Sequence, residues 1–278
     1  PSDAKEWAIR MSENGFAYST INNYKRSLRA SFYIAIQDDY VRKNPFDFQL
    51  NTVIDDDTVP KTILTLEQEA RLLDFAKSDT VYHKNYDEIL ILLKTGLRIS
   101  ELCGMTVTDL DFENHLILVN HQLLRNTELG YYIETPKTKS SERQVPMVEV
   151  TCQALKRVLA VQNQNECVEI DGYSNFLFLN RNGYPKTACD FNSILRNLIK
   201  KYNKCHEEKL PHITPHTLRH TFCTNCANAG MNPKALQYIM GHANITMTLN
   251  YYAHATCNSA MEEMKRLEKE QQARCLVL

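Results

Sequence analysis

The chain has 278 residues, room for one large domain or two modest ones, and its 43% hydrophobic and 23% charged residues are those of an ordinary globular protein. A formal net charge of −1 excludes a bulk electrostatic pull toward nucleic acid, so any such binding rests on local patches. Nine cysteines without scaffold-like spacing point to reduced thiols rather than a disulfide framework, and no apolar run approaches the length of a membrane span.

Ser2 is the expected N-cap of a helix from Asp3 to about Asn14, which Gly15 ends. Thr20 is expected to cap a second helix, running to about Asp38. There Ile21, Tyr24, Leu28, Phe32 and Ala35 recur at helical spacing, while Lys25, Arg26 and Arg29 lie on other faces as a basic patch. Asn44–Pro45 stops this run. Two helices bury too little surface to stand alone. Residues 1–50 therefore read as the later part of a helical domain, in a chain shortened ahead of Pro1. Residues 51–60 (NTVIDDDTVP), with an acidic run and no periodicity, read as a linker to a main body over 61–278.

Thr65 is expected to cap the next helix, with Glu67 and Glu69 in its first turn, where the helix dipole favours acids. A strongly apolar helix from Asn85 ends at Gly96. Arg98 sits in the turn before Ser100, where a short helix carrying Glu101 begins. Between Leu110 and Val150 the period changes. His115 to Val119, Gly130 to Glu134 and Arg143 to Val148 read as strands of one small antiparallel sheet, the last two joined by a hairpin tipped by Lys137 and Lys139. Helices resume from about Cys152 to Gln164 and from Thr187 to Asn203. A second basic patch, from Arg181 to Lys209, includes Lys200 and Lys201. The fold class is mainly α with a small antiparallel β-sheet (α+β).

The stretch from Pro215 to His254 (PHTLRHTFCTNCANAGMNPKALQYIMGHANITMTLNYYAH) concentrates the chemistry. His216 and Arg219 stand three apart at the start of a buried helix. Pro233 opens another helix, which Gly241 ends, presenting His242. Tyr251, Tyr252 and His254 close the run. A guanidinium fork matches phosphate oxygens, imidazoles move protons near neutral pH, and a phenol forms a covalent ester with phosphorus. Together they point to phosphoryl transfer through a tyrosine. Cys223-x-x-Cys226, with His220 nearby, has the look of a metal or redox motif but falls on the buried helix, where core thiols are the simpler reading. The terminal Cys275-Leu276-Val277-Leu278 has the pattern of a prenylation box without a polybasic run and reads as an apolar tail. Ahead of it, a charged helix with a stripe of Met261, Met264 and Leu267 is expected to dock on the body or on a neighbouring protomer.

Four ordered motifs carry a family resemblance: TGLRISEL at Thr95, PKTKSSERQVPM at Pro136, HTLRHTF at His216 and GHANITMTLNYYAH at Gly241. From about Pro60 onward the chain resembles the tyrosine recombinase (phage integrase) family, with wording like the integrases of conjugative transposons. Ser19 to Phe46 resembles the end of that family's helical core-binding domain. The resemblance implies a C-shaped clamp on double-stranded DNA, made of the helical core-binding segment and a catalytic domain. It further implies four protomers on two duplexes, with trans docking of the C-terminal helix, in a prokaryotic cytoplasm and away from the membrane. The implied catalytic residues are Arg98 and Arg219 on the scissile phosphate, Lys137 as general acid, His216 as base or relay, His242 on the phosphate and Tyr252 as nucleophile, with Glu101 as an acid bracing the site. Tyr251 competes with Tyr252, and Lys139 with Lys137. Lys25, Arg26, Arg29, Lys139, Lys200 and Lys201 are the expected DNA contacts. A phosphotyrosyl intermediate conserves bond energy, so neither cofactor nor metal is implied. The implied activity is site-specific excision and integration of a mobile element. The alternatives are a type IB-like topoisomerase and a catalytically silent DNA-binding protein.

Overall fold

The structure is a computed structural model that describes residues 2–58, 62–135, 142–161 and 168–252, together with 264, 265 and 268. The chain divides into two compact units, Pro1–Lys61 and Thr62–Leu278. In the first, α1 (Ser2–Glu13) and α2 (Tyr18–Gln37) pack around buried Ala8, Ile21 and Leu50. Trp7 meets the Phe46 ring edge-on. The second helix starts before Thr20, from an extended Ala17, so Thr20 lies inside it instead of capping it. Val53 and Ile54 pack on the small core, and the Tyr18 N–H donates to Asp57 at 3.1 Å. Those residues of the expected linker belong to the first unit, because their apolar side chains find a core to cover.

The second unit is built on α4 (Tyr86–Thr95), whose central run is apolar on every side and therefore buried: Ile89, Leu90, Ile91, Leu92 and Leu93 are all in the core. It packs against α6 (Glu149–Val161) and α8 (Pro215–Asn228). Helix α3 (Leu66–Ser78) begins at Thr65 with the expected cap, whose hydroxyl accepts from the Gln68 N–H while Gln68 returns a bond to the Thr65 N–H. Helix α5 (Ile99–Gly104) follows α4 directly, and α7 (Ala188–Cys205) precedes α8.

The strands form two sheets where one was expected. The first contains β1 (Leu110–Asp111), β2 (Leu116–Val119) and β5 (Arg143–Pro146), all antiparallel, with Ile117 opposite Val145 and Val119 opposite Arg143. The second is the hairpin β3 (Gln122–Asn126) with β4 (Gly130–Glu134). Strands β4 and β5 do not pair, so the expected hairpin between them is a connection between two sheets. Its lysines, Lys137 and Lys139, lie outside the described residues, as does most of the tail helix.

Candidate active site

Helix α9 (Pro233–Met240) is the part on which the site is hung. Asn232 caps its start by accepting from the Lys234 and Ala235 N–H groups, and Pro233 takes the first-turn position that needs no donor. Its end is closed by Gly241 in the left-handed region, φ 59°. The His242 N–H returns to the Gln237 carbonyl at 3.1 Å and the Gly241 N–H to Tyr238 at 3.0 Å. A helix leaves its last four carbonyls without helical partners, and this closure satisfies two of them. Ile239, Met240 and, beyond the cap, Gly241 still have carbonyls to be met.

Three arginines from distant parts of the chain meet them. Arg143 Nε donates to the Ile239 carbonyl at 2.7 Å, Arg219 Nη2 donates to Met240, and Arg98 Nη2 donates to Gly241 at 2.7 Å. The negative end of the helix dipole suits cations. Arg219 also donates through Nη1 to the Gly96 carbonyl, so it bridges the ends of α4 and α9. A residue larger than glycine would not fit at position 96, where a Cβ would stand 2.4 Å from the Phe222 ring on a backbone at φ 64°.

One carboxylate serves this cluster. Glu101 Oε1 accepts from Arg98 Nη1 at 2.7 Å and from Arg143 Nη1 at 2.9 Å. Oε2 accepts from Arg143 Nη2 and from the Arg98 backbone N–H, both at 2.8 Å. Burial alone would raise the Glu101 pKa, but the hydrogen bonds and charge of Arg143, with Arg98, reverse that and hold it at about 2. Burial and the repulsion of Arg98 push Arg219 down to about 10, still protonated at neutral pH. Three guanidiniums against one carboxylate leave a positive excess. Arg98 is the member open to solvent, its side chain 33% exposed, whereas that of Arg143 is 0% exposed. The arrangement suits an anion approaching Arg98.

His242 is buried beside this cluster, with Nδ1 2.9 Å from the Thr248 hydroxyl on α10 (Ile245–Leu249). Burial, then the charges of Arg219 and Arg98, lower its pKa to about 4, so it is a neutral imidazole at physiological pH. His216 is exposed at the start of α8, one turn from His220, with ring centroids 6.4 Å apart. The two phenols point elsewhere. Tyr251 Oη is bonded to His220 Nδ1, and Tyr252 Oη donates to the Met231 carbonyl at 2.5 Å. Burial, partly offset by Arg219, raises the Tyr251 pKa to about 12; burial and the two nearby cysteines raise that of Tyr252.

The structure thus gathers Arg98, Arg219 and His242, with His216 on the same helix as Arg219, and holds the Tyr252 phenol on Met231. Of the cations expected on DNA, Arg26 and Lys200 are exposed. Lys25 is buried, its ammonium 4.7 Å from the centre of the Phe48 ring, and Arg29 and Lys201 are bonded to Asp47 and Asp79. Arg143 was missed from the sequence. Its signal was register: β5 alternates buried and exposed, placing Arg143 and Val145 inward together, and an inward arginine needs a carboxylate.

A profile of the phage integrase family matches residues 62–259. The chain belongs to the phage integrase family. Within it, the chain is 76% identical over 277 residues to the transposase from transposon Tn916 of Enterococcus faecalis, an alignment covering 100% of this chain and 68% of that protein. Among solved structures, the Tn1549 transposon integrase bound to a circular intermediate DNA superposes with a TM-score of 0.91 at 64% identity, covering 96% of this chain and 84% of that one. Tyrosine recombinase XerC of Bacillus licheniformis is 27% identical over 91% of this chain and 76% of its own length. The phage integrase fold of the second unit is therefore mainly helical with small antiparallel sheets, as expected from the sequence.

Proposed function

We propose that Arg98 and Arg219 clamp the scissile phosphodiester of duplex DNA while Tyr252 attacks it, so that the protein cuts and rejoins strands as the site-specific recombinase of a mobile genetic element. The observation that carries this is the pair of guanidiniums seated on successive carbonyls, Met240 and Gly241, in a cluster with excess positive charge. Fixed donors of this kind stabilise charge that develops on the non-bridging oxygens. The Tyr252 oxygen forms a bond to phosphorus as the bond to the 5′-oxygen breaks. Lys137 gives that oxygen its proton, and His216 accepts the phenol's proton. Neutral His242 donates a hydrogen bond to the phosphate. Return attack by a 5′-hydroxyl reseals the strand, with no energy source consumed.

Two further comparisons support the choice of residues. The Tn1549 integrase structures include one with an arginine changed to lysine and one with a tyrosine changed to phenylalanine. Those two positions are as far apart in that chain as Arg98 and Tyr252 are here, one more than the separation of Arg98 from Tyr251. The likeness to a transposase favours recombination over the topoisomerase and silent-binder readings. The first unit acts as part of the core-DNA-binding domain, with residues 1–50 as its helices, 51–60 leading on and 61–278 as the catalytic part. Arg26 in the first unit and Lys200 in the second are the readiest phosphate contacts. The working assembly is a tetramer on two duplexes, joined by trans docking of the tail helix, and it acts in the cytoplasm. No helix among the described residues is long and apolar enough to cross a membrane.

The test is incubation with a nicked suicide duplex followed by denaturing electrophoresis. A covalent protein–DNA adduct is expected from the unaltered protein and from Tyr251→Phe, and none from Tyr252→Phe. The reverse pattern makes Tyr251 the nucleophile, and no adduct from any of the three leaves only DNA binding.

A further inference from the structure

We propose that Arg143 is a positioning residue for strand cleavage: by holding both oxygens of Glu101 and lying against Gly241, it fixes where the Arg98 guanidinium sits and leaves that guanidinium's charge available to DNA. The inference rests on the reading of Arg98 as a phosphate clamp. Arg143 cannot itself be a clamp, since its side chain is 0% exposed.

Arg98 hangs from two points, the Glu101 carboxylate and the Gly241 carbonyl. Arg143 determines both. Its planar fork takes one Glu101 oxygen with each Nη, at 2.9 and 2.8 Å, while its Nε anchors the fork to the Ile239 carbonyl. The same guanidinium is stacked so closely on Gly241 that a Cβ there would lie 2.9 Å from Nη1 and 3.0 Å from Cζ. Removing or shortening Arg143 therefore frees the carboxylate and the glycine together.

Charge gives the second half of the argument. A buried carboxylate needs a cation. Were Arg98 its sole partner, the pair would be neutral and the Arg98 fork would turn toward the carboxylate instead of the phosphate. With Arg143 supplying the compensating charge from a place no DNA can reach, Arg98 meets Glu101 through Nη1 and the Gly241 carbonyl through one Nη2 proton. Its side chain stays 33% exposed, so its charge is open to an approaching anion. Lysine cannot substitute, because one ammonium does not span two carboxylate oxygens and a carbonyl with fixed geometry.

The experiment compares the full chain with Arg143→Lys, Arg98→Lys and the double variant. It measures duplex affinity, thermal midpoint and the single-turnover rate of adduct formation on a nicked duplex. Arg143→Lys is expected to bind duplex within about threefold of the unaltered protein while forming adduct about 10²-fold more slowly, the usual consequence of a misplaced catalytic group. In the Arg98→Lys background the same change is expected to cost less than about threefold, since no fork remains to be aimed. On a duplex whose scissile phosphate is a neutral methylphosphonate, the Arg143→Lys deficit is expected to shrink, which a general packing defect would not do. An adduct rate within about threefold of normal, or deficits that multiply in the double variant, overturns the proposal. If Arg143→Lys loses its cooperative unfolding transition, Glu101→Gln replaces it with the same expectations, and multiplying deficits overturn the proposal there too. Absence of adduct from the unaltered protein indicts the clamp reading itself, a different result from a normal rate in Arg143→Lys.

Discussion

The arginine cluster and the tyrosine pair occupy the same end of the second unit but are held by opposite means. Arg98 and Arg143 are bonded to the Glu101 carboxylate and to carbonyls at the end of α9, Arg219 to carbonyls at the ends of α4 and α9, and two of the three are buried. Tyr251 and Tyr252 follow a five-residue helix, and their phenols are hydrogen-bonded to His220 and to the Met231 carbonyl. The electrostatic half of the site is built before DNA arrives, whereas Tyr252, as the proposed nucleophile, must exchange its Met231 bond for the phosphate. Such a division fits a reaction whose charge stabilisation works best when it needs no reorganisation and whose damage to DNA is best withheld until the substrate is in place.

The contrast can be broken most severely at Arg219. Arg219→Ala removes one of the two proposed clamps and strands the Gly96 and Met240 carbonyls, so cleavage should fall by at least about 10³-fold and stability by on the order of 2 to 5 kcal/mol. Adduct assays and a denaturant melt measure both. Gly241→Ala comes next. The new methyl meets Arg143 and the left-handed backbone costs roughly 1 to 2 kcal/mol, so thermal stability and cleavage should both drop while duplex binding is retained.

The pH dependence sharpens the comparison from the side of the carboxylate. The folded pKa of Glu101 is depressed, so its stabilisation is complete above the unfolded value of 4.5 and is lost as pH falls toward about 2. Glu101→Gln should therefore lower the thermal midpoint at pH 7 and flatten its fall between about pH 5 and pH 2. His242 works in the same sense, in a higher pH interval. Its folded pKa is lowered from 6.5 to about 4, so stability from the neutral imidazole is complete above the unfolded value and is lost as pH falls through that interval toward 4. His242→Asn should remove that part of the acid dependence, as a melt at pH 7 and pH 5 would show. The smallest effect is expected on the tyrosine side, where Tyr251→Phe loses one bond to His220 and should change cleavage by no more than about fivefold.

The parts of this fold that were legible in the sequence are those decided locally. Thr65 as a helix cap, Pro233 at a helix start, and Gly96 and Gly241 at helix ends each do what their own local chemistry dictates. Strand partnership was not legible, because β2 chooses β5 across the whole of residues 120–142 while β3 and β4 close on themselves. Strand β3, reading QLLRN, lacks the alternation that would have disclosed it. Lys25 was expected on a solvent face but buries its stem and lies over Phe48, an outcome that depends on chain folded back from far along the sequence. At the site, the motif residues were visible as chemistry. What held them was visible only in Glu101, expected as a bracing acid, since the other partners are main-chain carbonyls that no side-chain pattern reveals.

That last point has a consequence for how the site can change over time. The distances between peptide oxygens in a helical turn are dictated by bond lengths, so α9 works as a ruler whose marks no point substitution can re-space. Side chains along its outer surface, such as the exposed Ala235, are free to drift without retuning the chemistry. Inserting or deleting a single residue near Met240 would throw all three guanidiniums out of step at once.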